Sequence, residues 1–78
     1  MLPGLTAREQ QILNLVAEGL TNRQISSTLS VSESTVENHM HHIFVKLGIS
    51  NRAQAVARAF QMRITLSSKM FENGGNPS

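Results

Sequence analysis

Three histidines lie within four positions of one another, and their chemistry is the first question that the sequence raises. His39, His41 and His42 follow Glu37 closely, and imidazole and carboxylate groups serve both as metal ligands and as acid–base catalysts. His39 and His42 have the spacing that places two ligands on one helix face, whereas His41 points elsewhere. No second cluster of acids or histidines supplies further ligands, aspartate is absent, and there is no glycine-rich phosphate loop. The sequence therefore predicts no metal site, no cofactor and no enzyme.

Length and composition indicate one small domain. The 78 residues include no cysteine, tryptophan or tyrosine, which excludes disulfides and thiolate chemistry and favours a reducing, cytoplasmic location. The N-terminus lacks the pattern of a signal peptide, and no apolar run approaches the ~18 residues of a membrane span. Residues 1–37 carry two arginines against four glutamates, whereas residues 38–78 carry five lysines and arginines against one glutamate. This asymmetry favours an anionic partner, with ordinary surface charge as the alternative.

Four helical patterns predict an all-α fold, with helices at about 7–18, 22–29, 33–47 and 52–62. Thr6 and Thr21 each precede a glutamate or glutamine by three positions, the spacing of a capping box, and Ser32 is placed to cap the third helix. The pattern dissolves beyond the fourth helix. We therefore expect residues 1–64 to form the domain and residues 65–78 to be a disordered tail.

The second and third helices, with a short connection between them, predict a helix-turn-helix motif. In such a motif the second helix lies in the DNA major groove, and the first crosses the phosphate backbone. Apolar residues at offsets of three and four, from Val36 to Leu47, predict the buried stripe of the third helix. The opposite face carries mostly short or planar hydrogen-bonding side chains suited to base edges, namely Ser34, Glu37, Asn38, His41, His42 and Val45. The alternative is an ordinary solvated face on a small helical bundle.

The fourth helix has apolar residues on more than one side. One set, around Ala55 and Ala59, is placed to close the core. A second stripe predicts a surface through which two copies pair, made of Ala53, Ala57, Phe60 and Ile64. The alternative is a wider core, with the tail folding back over this stripe.

From Leu5 to about Val56 the chain resembles the DNA-binding domain of the LuxR family, the helix-turn-helix of quorum-sensing regulators and NarL-type response regulators. The resemblance is carried by the segments LTAREQQILNLVAEGLTNRQIS, LSVSESTVENHMHHIFVKLGIS and NRAQAV. It implies a bacterial transcription regulator whose third helix reads the groove and whose fourth helix often pairs two subunits. Family members usually carry an N-terminal sensor or receiver domain, so the segment MLPG before the first cap suggests an excised domain or a short stand-alone member.

The resemblance places the base-reading residues directly after Val36, at Glu37, Asn38 and His41, with His42 as a further candidate. LuxR-type domains often have lysine or arginine at the positions of Glu37 and His41, so the usual guanine contact is not expected here. Instead, Glu37 is suited to accept from a cytosine amino group and Asn38 to pair with adenine. The opposing interpretation is that Glu37 repels phosphate and lowers affinity.

Contacts with the DNA backbone are expected at helix starts and at basic side chains. Backbone N–H groups and hydroxyls at the starts of the second and third helices favour phosphate, and two basic side chains match family positions near the DNA backbone. The predicted phosphate-contacting residues are Thr21, Asn22, Arg23, Ser32, Thr35, Lys46 and Arg52. Double-stranded DNA is thus the expected partner of a homodimer, with RNA polymerase as an additional partner. The alternative function is a helical module that binds a signalling protein or the polymerase through the same polar face.

Overall fold

The computed structural model describes the backbone of residues 4–70 and the side chains of residues 4–62. In this part of the chain it contains four helices, α1 (Ala7–Ala17), α2 (Asn22–Leu29), α3 (Glu33–Leu47) and α4 (Arg52–Met70). No strand occurs in residues 4–70, and the all-α fold predicted from the sequence is confirmed. None of the described helices is long and apolar enough to span a membrane.

The first two helices start at the capping boxes that the sequence indicated. Thr6 Oγ1 accepts from the Glu9 N–H at 3.1 Å, and Glu9 Oε1 accepts from the Thr6 N–H at 3.0 Å. Thr21 and Gln24 repeat this pair of bonds at the start of α2, at 3.1 and 2.9 Å. The bonds satisfy N–H groups that the first turn of a helix otherwise leaves unpaired, so they fix where α1 and α2 begin.

One apolar core lies where the helices meet. α1 packs against each of the other three helices, and α2 packs against α3. The buried apolar residues come from all four helices and from the segment before α1, and they are Leu5, Ile12, Leu13, Val16, Ile25, Val36, Met40, Ile43, Ala55 and Ala59. Burial of one stripe of α3 fixes the rotation of this helix, so the residues on its opposite side must face outward.

α4 is longer than the sequence pattern predicted. It begins at Arg52 as expected, but it continues to Met70 instead of ending near Met62. No glycine or proline interrupts residues 52–70, so nothing in this stretch breaks the helix. Residues 65–70, which belong to the tail predicted to be disordered, are therefore helical, and residues 71–78 lie outside the described part of the chain. The domain boundary at residue 64 stays a prediction.

The turn between α2 and α3 depends on a serine in the left-handed region of backbone conformation. Ser30 has φ 59° and ψ 43°, and it ends α2. The Val31 N–H then donates to the Ser26 carbonyl oxygen at 3.0 Å. Glycine is the usual residue at such a position, because the Cβ atom of any other residue is crowded by the neighbouring backbone. The turn places α3 against α2 and so sets the geometry of the helix-turn-helix.

Ser30→Gly is expected to stabilise the domain by about 0.5–1 kcal/mol, because removal of Cβ relieves this crowding and outweighs the greater flexibility of glycine. Urea unfolding measures the effect, because a shift of the midpoint at an unchanged m-value reports a change in stability. Ser27→Gly is the matched control, since Ser27 is exposed inside α2, where glycine is expected to destabilise. Destabilisation in both variants would show that Ser30 does not adopt the left-handed conformation in solution.

Candidate nucleic-acid interface

α3 presents a continuous exposed face on the side opposite to its buried residues. Val36 and Ile43 are fully buried, whereas the line of residues at offsets of four, three and four on the other side is exposed. We call this line the outward row, and it consists of Ser34, Asn38, His41 and Val45. The last of these is 67% exposed, so the exposed face extends into the final turns of α3.

The four predicted base-contacting residues are all exposed, but they do not point in one direction. Asn38 and His41 lie in the outward row, while Glu37 lies on one flank of the row and His42 on the other. Within residues 4–62, the side chains of Glu37 and Asn38 take part in no hydrogen bond or ion pair. Their polar atoms are therefore available to a ligand.

A groove opens on the Glu37 flank of the outward row. Three helices line it, α3 through four residues and α2 and α4 through the first residue of each. The lining residues are Asn22, Glu37, Met40, His41, Phe44 and Arg52. The groove thus brings two predicted base-contacting residues beside two predicted phosphate-contacting residues.

The guanidinium group of Arg52 is held within the domain. Nη1 donates to Asn22 Oδ1 at 2.8 Å, and Nη2 donates to the carbonyl oxygen of Leu20. Arg52 therefore joins the start of α4 to the start of α2, a role that the sequence did not predict. Arg23, the residue after Asn22, is exposed on the first turn of α2.

On the His42 flank, two side chains of α3 approach Glu9 of α1. Lys46 Nζ lies 2.7 Å from Glu9 Oε1, and His42 Nδ1 lies 4.0 Å from Glu9 Oε2. The Glu9 side chain is only 4% exposed. The hydrogen bond from Lys46, followed by that from the Thr6 N–H, holds the pKa of Glu9 below its ordinary value of 4.5, although burial acts in the opposite direction.

Lys46, predicted to contact phosphate, thus also has a partner within the domain and joins α3 to α1. Glu9 is a further residue with a role that the sequence did not predict. The pattern marked it only as half of a capping box, and nothing in the spacing indicates a partner 37 positions away.

The three histidines do not form one site. His42 lies toward Glu9, His41 lines the groove on the other flank, and their ring centres are 6.1 Å apart. Among the side chains of residues 4–62, no group of three His, Cys, Asp or Glu residues is placed to hold a metal ion. The cluster offers hydrogen-bonding groups along an exposed helix face.

The hydroxyl groups predicted to contact phosphate lie at two helix N-termini. Thr21 is exposed and caps α2. Ser32 caps α3, since its Oγ accepts from the Thr35 N–H at 3.1 Å and lies 3.0 Å from Thr35 Oγ1. Thr21 and Ser32 therefore fix the starts of α2 and α3.

The predicted pairing stripe lies on the surface of α4. Ala53 and Ala57 are exposed, and Phe60 is 47% exposed, whereas the core-facing alanines of the same helix are buried. Ile64, the fourth predicted member, belongs to α4, but its side chain lies outside the described residues. The described part of the stripe is thus accessible in the single chain.

Known proteins resemble this chain over most of its length. Residues 3–59 match the family described as bacterial regulatory proteins, luxR family. The probable transcriptional regulatory protein SgaR of Hyphomicrobium methylovorum is 48% identical over 56 residues, which cover 72% of this chain and 26% of that protein. The DNA-binding transcriptional activator DevR/DosR of Mycobacterium tuberculosis is 40% identical over 62 residues, which cover 80% of this chain and 29% of that protein.

A solved structure has the same fold. The response regulator ChrA of a heme-sensing two-component system superposes with a TM-score of 0.72 at 44% identity, over 81% of this chain and 31% of that chain. This chain thus spans between 26% and 31% of the length of these three relatives. It belongs to the LuxR family of bacterial regulatory proteins, and its four helices form the helix-turn-helix DNA-binding domain of that family.

Proposed function

We propose that the domain binds double-stranded DNA sequence-specifically, with α3 in the major groove, as part of a bacterial transcription regulator. The outward row is the observation that supports this most strongly. It is an exposed, mainly polar line on the second helix of a helix-turn-helix, opposite the buried residues Val36, Met40 and Ile43. A helix that enters the major groove must present such side chains to the base edges.

The residue types on this face favour adenine and cytosine contacts over the guanine contacts that arginine and lysine make. Asn38 has the donor and acceptor that pair with the N6 and N7 atoms of adenine, and the Glu37 carboxylate accepts from the N4 amino group of cytosine. His41 donates from one ring nitrogen when neutral and from both when protonated. His42 lies nearer to Glu9, on the other flank of the outward row, and would contact the opposite side of the DNA major groove.

Phosphate contacts at the starts of α2 and α3 hold α3 in register. At the start of α2, phosphate is contacted by Thr21, Asn22 and Arg23. At the start of α3, it is contacted by the hydroxyls of Ser32 and Thr35. Lys46 and Arg52 contribute charge from positions where they also bind other parts of the domain.

Pairing of two chains through α4 completes the proposal. Ala53, Ala57 and Phe60 are exposed on one helix face, and together with Ile64 they offer an apolar stripe for a two-fold contact. Two α3 helices related by this contact would meet half-sites about one helical turn of DNA apart. The small side chains suggest a weak contact that DNA stabilises. Such a regulator acts in the cytoplasm, with RNA polymerase as a further partner.

The test is a selection from randomised duplex DNA at low and moderate salt, followed by sequencing of the bound fraction. A recovered two-fold motif with half-sites about ten base pairs apart would support both groove reading and pairing. Affinity should fall by about 0.9 log units per log unit of salt for each phosphate contacted. Binding of a protein partner with little salt dependence, and no retention of DNA at low salt, would favour the interaction-module alternative.

His41→Ala is expected to leave the fold intact and to weaken binding to the selected motif by about 1 kcal/mol, the lower end of the range for a bidentate base contact, because an imidazole makes a single hydrogen bond to a base edge. Thermal unfolding and affinity for the motif are measured together. Gln11→Ala, an exposed position on α1, is the control and should change neither. Unfolding of His41→Ala, or unchanged discrimination between the motif and a scrambled duplex, would contradict the proposed role of His41.

A further inference from the structure

We infer that Arg52 is a positioning residue for DNA binding, which turns the side-chain amide of Asn22 so that its NH2 group donates to a DNA phosphate. The inference rests on the proposed function and identifies the residue that prepares one of its phosphate contacts. Arg52 is the first residue of α4, and Asn22 is the first residue of α2. Their contact joins two helix starts that lie 30 positions apart in the sequence.

Both terminal nitrogens of Arg52 donate a hydrogen bond within the domain. Nη1 donates to Asn22 Oδ1 at 2.8 Å, and Nη2 donates to the carbonyl oxygen of Leu20. The planar guanidinium therefore fixes the position of the Asn22 side chain relative to the segment before α2. Arg52 and Asn22 are both half-buried at the groove, which restricts the rotamers open to them.

The orientation of Asn22 matters because the two ends of a carboxamide have opposite hydrogen-bonding properties. The oxygen accepts, the NH2 group donates, and phosphate oxygens accept. If the oxygen of Asn22 faced the DNA, it would repel a phosphate. Because Arg52 holds the oxygen of Asn22, the NH2 group is the end left for another partner. The bond from a charged donor also polarises the amide, which strengthens its NH2 group as a donor.

The neighbours of Asn22 belong to the surface on which a phosphate is expected. Thr21 and Arg23 are both exposed, and Arg23 adds a positive charge on the same turn. The groove that Asn22 and Arg52 line also contains Glu37 and His41, on the flank of the outward row. Asn22 therefore lies beside two predicted base-contacting residues, where a phosphate contact would position α3 on the DNA.

A double-mutant cycle on the 78-residue chain tests the inference, with Arg52→Lys, Asn22→Ala and the double variant. Lysine keeps the charge but lacks the planar pair of donors. Affinity is measured by fluorescence anisotropy at low salt, with a mixed-sequence duplex of about two helical turns, roughly 20 base pairs. Arg8→Lys is the matched control, since Arg8 is exposed on α1 and hydrogen bonds to Gln11 of the same helix.

Asn22→Ala is expected to weaken duplex binding about tenfold, the size of one hydrogen bond to a charged group. Arg52→Lys is expected to weaken binding about three- to tenfold when Asn22 is present and less than about twofold when it is alanine, because the two residues act through one contact. Arg52→Lys should also leave the salt slope unchanged, since the charge remains. Equal losses in both backgrounds, or no loss in Arg52→Lys, would overturn the inference.

The NH2 signals of Asn22 in 15N NMR spectra give a readout that a general loss of stability does not imitate. They are identified by their absence in Asn22→Ala. They are expected to shift on addition of the duplex in the unmodified chain and to shift less in Arg52→Lys. Their failure to shift when the unmodified chain binds would also overturn the inference. Failure of the proposed function differs, since the unmodified chain itself would then show no salt-dependent binding of duplex DNA.

Discussion

Replacement of Ile43 by alanine is expected to lower the free energy of unfolding by about 2–5 kcal/mol, the usual cost of truncating a large buried aliphatic side chain. Ile43 is fully buried and shares the core with Ile12 of α1 and Val36 of α3. The loss combines the transfer free energy of the removed atoms with the cavity that remains. A chain of this length has a total stability of about 4–12 kcal/mol, so the variant is expected to be partly unfolded or loosely packed.

Urea unfolding followed by circular dichroism measures this loss, and Val45→Ala is the matched control. Val45 is an aliphatic residue of the same helix, but it is 67% exposed. Its truncation should change the stability by no more than about 0.5 kcal/mol. A larger loss in Val45→Ala than in Ile43→Ala would show that the buried and outward faces of α3 have been exchanged, and the outward row would then be wrong.

Lys46→Met is expected to cost about 1–3 kcal/mol at neutral pH, because the carboxylate of Glu9 would lose its charged donor at a buried position. Methionine retains much of the apolar stem of lysine, so the change removes mainly the ammonium group. Glu9 would keep the bond from the Thr6 N–H. The side chain of Lys46 is 36% exposed, and solvent screening keeps the cost below that of breaking a fully buried ion pair.

The same ion pair gives the stability a defined dependence on pH. Lys46 and the Thr6 N–H lower the pKa of Glu9 below 4.5 in the folded protein, so the unfolded chain binds this proton more tightly. The resulting stabilisation is fully present above the unfolded-state pKa and is lost as the pH falls through the lower folded-state pKa. Removal of Lys46 raises the folded-state pKa, so Lys46→Met should lose this acid-sensitive part of the stability.

Unfolding curves at neutral pH and at several pH values below 4.5 test this expectation. Arg8→Met is the control, because Arg8 is an exposed cation of α1 that hydrogen bonds to Gln11. The difference between Lys46→Met and the unmodified chain should shrink as Glu9 becomes protonated, and the control should show no such change. A difference that stays constant across the acid range would mean that the Glu9–Lys46 pair does not control the pH dependence.

Features that depend on neighbouring residues could be predicted from the sequence. The capping boxes at Thr6 and Thr21 join residues three positions apart, so their spacing is visible in the chain itself. The outward row follows from the period of the helix once the apolar side of α3 is recognised. The same reasoning predicted that α4 ends near Met62, because its apolar pattern weakens there. The helix instead continues to Met70, since no glycine or proline interrupts it.

The contacts that position the candidate site could not be predicted in this way. Lys46 meets Glu9 across 37 positions, and Arg52 meets Asn22 across 30, so each pair depends on how whole helices pack. Basic residues near a DNA-binding helix are read from the sequence as phosphate contacts, since nothing local shows that they already have partners. The resemblance to a known family gave their approximate place but not these internal partners.

The ion pair between Glu9 and Lys46 has a consequence for how a DNA-binding domain discriminates between specific and nonspecific DNA. Lys46 is the only lysine or arginine of α3, and its ammonium group is bonded to a carboxylate of the same domain. Attraction to DNA of any sequence depends on cations that neutralise phosphates, so Glu9 offsets part of the charge that Lys46 brings to it. A bacterial chromosome offers on the order of a million or more competing sites. For a DNA-binding domain, weaker attraction to these sites leaves a larger share of the molecules free to reach a specific site.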